Sequence, residues 1–152
     1  MKKVLFFLIQ STWGIIQSLA GLVLFLVNIR NKHYFYHGAV VTEWRSLSSV
    51  SLGLFVFVTE RRIRDMRSGG VPTDRIKRAL LVHEYGHSVQ SLILGPFYLP
   101  LIGIPSLLWA TMPKFRVRRL VGTPYSAFWT ERSANRLGEK VTREESLRDA
   151  VM

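Results

Sequence analysis

Apolar runs, and the polar residues that interrupt them, divide this chain into segments of distinct character. The first is Val4 to Val27, inside a stretch (residues 4–29) free of Lys, Arg, Asp and Glu. As one helix it would extend ~36 Å at ~1.5 Å per residue, enough to cross a hydrocarbon core of ~30 Å with some tilt. It predicts an N-terminal transmembrane helix over 4–27. A signal peptide is the weaker reading, because the run exceeds a typical h-region and Leu22 to Val27 has no small-residue cleavage pattern. Gln10, Ser11, Thr12, Gln17 and Ser18 recur on neighbouring turns and are expected to face other helices rather than lipid.

From 33 to 59 the chain is rich in Val, Phe, Tyr and Thr, with a Ser-rich connector between two runs. Such enrichment predicts two strands paired as a small β-hairpin, with Gly38 and Gly53 as bulges or points of close backbone approach. A charged connection, RRIRDMRSGG, follows. Thr73 and Asp74 then open a helix that Gly95 and Pro96 stop, predicting 74–94. Beyond it, apolar residues to 112 are broken by Pro100, Gly103 and Pro105. With basic residues at both ends of 74–112, the chain is expected to turn at Gly95 and return as an apolar helical hairpin, re-entrant rather than fully spanning. Thr123 and Pro124 predict a last helix over 124–137, closed by Gly138. The expected fold is a mainly α integral membrane protein forming one domain over 1–152.

Composition narrows the chemistry. The formal net charge is +11, from 21 Lys and Arg against 10 Asp and Glu. Beside apolar segments, these cations are expected to contact anionic lipid headgroups rather than nucleic acid. There is no cysteine, so a metal would be held by His and carboxylate.

Residues 83 to 87 read His-Glu-Tyr-Gly-His. On a helix, His83 and His87 share a face and can meet one divalent ion, while Glu84 stands beside them as a candidate base toward metal-bound water. A catalytic zinc takes a third protein ligand. Glu131 is the best candidate, since a carboxylate near Phe128 and Trp129 would be costly without a partner. Asn135, one turn later, is placed to orient a ligand imidazole. His33 and His37 are also four apart but lie in an expected strand, ~13 Å from each other and too far to share an ion. Tyr125, Arg132, His33 and His37 are candidate donors to a developing oxyanion, and the strand at 50–59 a candidate edge for an extended substrate.

HExxH followed on a later helix by ExxxN resembles the gluzincin arrangement, nearest in kind to the membrane-embedded CAAX-type prenyl-protein endoproteases and bacterial heat-shock membrane proteases. The resemblance covers two helices, with Asn135 where those families carry Asp. It implies zinc on His83, His87 and Glu131, Glu84 as general base, Asn135 behind the ligands, and a zinc metalloprotease acting on a peptide or membrane-protein substrate. The positive-inside rule would place the site on the cytoplasmic side of a bacterial inner or plasma membrane, although Lys2 and Lys3 would then face the opposite side. Rival readings are a non-catalytic membrane adaptor and a zinc-dependent membrane hydrolase of a lipid or other amide.

Overall fold

The N-terminal apolar stretch is two helices in the computed structural model, which describes residues 3–46, 48–60, 73–113 and 122–147. Helix α1 (Lys3–Thr12) and helix α2 (Ile15–Val27) meet at a bend of 100°. No described helix is long and apolar enough to cross a membrane, which corrects the expected span over 4–27. The cause is local. Thr12 Oγ1 donates back to the Leu8 carbonyl at 2.8 Å, and a side chain at Gly14 would strike the Gln10 amide. Gln10, Gln17 and Ser18 face other helices as expected, and are bonded inside the protein.

The region 33–59 is a four-stranded sheet rather than one hairpin. Strands β1 (His33–Tyr36) and β2 (Ala39–Trp44) pair antiparallel, as do β3 (Val50–Leu52) and β4 (Phe55–Thr59), and β2 runs parallel to β4 in the order β1-β2-β4-β3. Each antiparallel pair closes through a two-residue turn in left-handed backbone, at His37–Gly38 (φ 48° and 100°) and at Gly53 (φ 59°). Those glycines are hairpin turns and not bulges, and at Gly53 the other expectation, close backbone approach, holds: a side chain there would strike Ser18. All five residues of β4 are buried, because α2 covers one part of it and the long helix α3 (Thr73–Leu94) another. Helix α2 lies close enough that Gly21 faces the Phe55 ring, and Ser18 Oγ accepts from Leu54 N at 3.2 Å.

Helix α3 is buried on every side from Leu80 to Ser91 despite its polar content. After it, Gly95 (φ 53°) turns the chain into short 3-10 (Gly95–Phe97) and π (Leu99–Gly103) turns and then helix α4 (Ile104–Thr111). A 3-10 turn (Tyr125–Ala127) leads into helix α5 (Trp129–Thr142). That helix starts later than the expected 124–137 and does not end at Gly138. It ends where Arg143 adopts the left-handed conformation (φ 62°). Gly138 has a different use. A side chain there would strike the Val82 carbonyl, and one at Gly86 would strike the Ala134 carbonyl. Small residues on both helices bring the α3 and α5 backbones together. The charged connection at 61–67 and the basic cluster at 114–119 lie outside the described residues.

The described residues are therefore mostly helical around a four-stranded sheet, and a bent helix pair stands where the expected architecture had one transmembrane helix.

Candidate metal centre

Helix geometry places His83 and His87 on one face of α3, with ring centroids 4.9 Å apart and planes at 89°. The close crossing of α5 brings Glu131 to them: Oε2 lies 3.2 Å from His83 Nε2 and 3.4 Å from His87 Nε2. Ligand atoms of the three residues all fall within 4.8 Å of one another, and all three residues are buried. Donors at zinc–ligand distances of ~2.0–2.1 Å in a tetrahedron stand roughly 3.3 Å apart. The 3.2 and 3.4 Å separations match that spacing.

The far side of each imidazole is committed. Asn135 Oδ1 lies 2.7 Å from His83 Nδ1, and Gln90 Oε1 lies 2.7 Å from His87 Nδ1. Gln90 is oriented by its own neighbours, since its Nε2 donates to the Thr130 carbonyl at 2.9 Å and to Ser133 Oγ. A carbonyl only accepts, so Gln90 turns its oxygen toward His87. Each ring thereby turns Nδ1 toward an amide oxygen and Nε2 toward Glu131, the orientation a metal site requires. Glu131 is held in turn. Its Oε1 accepts from Ser106 Oγ of α4 at 2.5 Å and from Thr130 Oγ1 at 3.1 Å.

Glu84 sits in the same buried group, its Oε2 accepting from Ser51 Oγ of β3 at 3.2 Å while that hydroxyl also reaches the Glu84 carbonyl at 2.5 Å. Burial raises the Glu84 carboxyl above its ordinary range, against the opposing pull of His83 and His87. Without an ion, His87 is pushed up to about 9: burial disfavours its charge, and the Glu131 carboxylate, then Glu84 and Gln90, more than compensate. Burial likewise opposes a charge on Glu131, but His87 and His83 hold that carboxyl well below its usual range. Tyr98 and Tyr125, raised first by burial and then by nearby carboxylates, keep their hydroxyl protons.

The remaining sequence candidates are distributed as follows. His33 bonds Thr42 and the Ile29 carbonyl, the His37 carbonyl accepts from Tyr85, and neither imidazole joins the cluster. Arg132 is exposed and donates to the Ala127 carbonyl. Tyr125 does come near, its hydroxyl 3.5 Å from Ser106 Oγ. Sequence reasoning gave no role here to Ser51, Ser106 or Thr130, and Gln90 read from sequence as polar glue between helices or the floor of a wet cavity. The one sequence signal for Ser106 is a hydroxyl inside an apolar run.

No family model, no curated protein and no solved structure matches this chain. The gluzincin resemblance is therefore not matched by any family, and the expected metalloprotease activity is corrected to a metal-binding cluster, since nothing found shows a membrane-embedded catalytic site or hydrolysis of a peptide bond. The expected integral-membrane placement with a cytoplasm-facing site is corrected to this: among the described residues no single helix is long and apolar enough to cross a membrane. What stands is a buried His83, His87 and Glu131 cluster able to coordinate a divalent metal ion.

Proposed function

We propose that this protein binds one divalent cation, zinc by the chemistry of its donors, through His83 Nε2, His87 Nε2 and Glu131. The observation that carries the proposal is the pairing of both Nδ1 atoms with amide oxygens, of Asn135 and of Gln90, which turns both Nε2 atoms toward one carboxylate. A pair of neutral imidazoles with one carboxylate suits zinc, and three protein donors leave a tetrahedral position for a small ligand such as water. Bound there, zinc supplies Lewis acidity to whatever occupies that position. Glu84, not needed as a ligand and tethered by Ser51, is the group we assign to accept a proton beside the ion.

Elemental analysis of the purified full chain tests the reading. One zinc per chain is expected, lost in His83→Ala and Glu131→Gln and kept in Glu84→Gln. A wild-type chain that takes up no metal after zinc supplementation, or a Glu131→Gln variant that keeps it fully, overturns the ligand set. With cobalt in place of zinc, added azide should change the visible spectrum. A spectrum indifferent to azide would mean that no exchangeable position exists.

A further inference from the structure

Helices α1 and α2 are turned inside out. Their polar side chains go inward: Gln10 Nε2 donates to the Ser88 carbonyl at 2.8 Å, Gln17 Nε2 donates to Ser91 Oγ at 2.8 Å and the Gly95 carbonyl at 2.9 Å, and Ser18 Oγ donates to the Gln10 carbonyl. Phe6, Leu24 and Phe25 pack on the core, but most of the two helices' apolar side chains go outward. Phe7, Leu8, Ile16, Leu19, Val23 and Leu26 are each at least half exposed. A helix packed on a protein in water shows the opposite polarity. The outward apolar character continues past the bend, where Trp13 packs against Gly95, onto Phe97, Leu101 and Leu107. Monomers in water rarely leave so much contiguous apolar surface uncovered.

We infer that this surface lies in one leaflet of an anionic lipid bilayer, as a surface attachment that does not cross it. Length sets the depth: helices of 10 and 13 residues reach about 15 and 20 Å, short of a ~30 Å core, and the 100° bend keeps them from adding end to end. Charge selects the occupant. Exposed Lys3 precedes the apolar pair, and exposed Arg30 and Lys32 follow it, so cations bracket the apolar surface where headgroups would lie. A net charge of +11 makes two copies repel, whereas an anionic bilayer attracts each. The apolar residues also recur along two helices set at a wide angle and on α4, a shape that a fluid solvent covers more readily than one flat partner.

Flotation of the full chain with phosphatidylcholine vesicles, with and without phosphatidylglycerol, tests the inference. Binding is expected with phosphatidylglycerol, weakened by salt, and reduced roughly fivefold by each of Lys3→Glu, Arg30→Glu and Lys32→Glu. Ile16→Ser with Leu19→Ser and Val23→Ser should abolish it, while zinc content and far-ultraviolet dichroism stay unchanged to show that the fold survives. Failure to float with phosphatidylglycerol overturns the inference, as does flotation indifferent to lipid charge and to the three reversals. A stable dimer that hides these helices and leaves vesicles unbound overturns it in favour of a second copy.

Discussion

The Asn135 side-chain oxygen lies 2.7 Å from His83 Nδ1, reaching from α5 to α3 across the helix crossing that also carries Glu131. One residue therefore fixes both the tautomer and the rotation of a ligand ring without touching the ion position. Asn135→Ala should leave the fold intact and weaken zinc affinity by about 10–100-fold, as loss of an outer hydrogen-bond partner does. Asn135→Asp should restore most of it. Competition with a chromophoric chelator measures both, and an unchanged affinity in Asn135→Ala would contradict the orienting role.

The contact between α3 and α5 depends on missing side chains. Gly86→Ala would press a methyl group onto the Ala134 carbonyl and Gly138→Val would press a larger group onto that of Val82. Overpacking of this kind costs about 1–3 kcal/mol, more where backbone must move. Both variants should lower the urea midpoint, and both should bind zinc more weakly than wild type because Glu131 is carried away from the imidazoles.

Ser106→Ala removes the 2.5 Å hydrogen bond to Glu131 Oε1. A hydrogen bond to a buried charged acceptor contributes about 1.5–3 kcal/mol. Loss of that order is expected by chemical denaturation of the metal-free protein. Ser106→Thr should recover part of it, and a neutral Ser106→Ala would show that Thr130 alone suffices to hold the carboxylate.

Metal-free protein should lose stability as pH rises. The His87 pKa moves from 6.5 to about 9 on folding, so its contribution is complete below pH 6.5 and is lost as pH climbs through about 9. The raised Glu84 carboxyl acts in the same direction, since its ionisation in the folded state is disfavoured by burial. Glu131, depressed, contributes above its unfolded value of 4.5 and loses that contribution only as acid takes pH down through its lowered value. Thermal melts of chelator-treated protein should fall between pH 6.5 and 9, with a shallower slope in His87→Gln. Because a metal must displace the His87 proton, zinc affinity should rise across the same interval.

What could be read from sequence was local. His83, Glu84 and His87 sit within one helical turn, and Asn135 is one turn from Glu131, so spacing alone placed each pair on a face. The bend at Trp13 and Gly14 was not readable from hydropathy, which counts apolar residues but not the direction in which Gln10 and Gln17 point. Val, Phe and Tyr enrichment identified β structure, yet the parallel pairing of β2 with β4 depends on tertiary cover by α2 and α3. Gly138 had the local signature of a stop but is kept small by a neighbour 56 positions earlier in the chain, Val82. Ser106 meets Glu131 across 25 residues, beyond any periodic pattern.

The separation of 44 positions between His87 and Glu131 gives ion loading a second role. With no cysteine, the chain has no disulfide to restrict its unfolded ensemble. A cation gripping both residues would act as a removable staple, closing a long loop whose entropy a denatured chain otherwise keeps. Chelation would then loosen the whole molecule as well as empty one site, and resistance to proteolysis would follow the supply of metal.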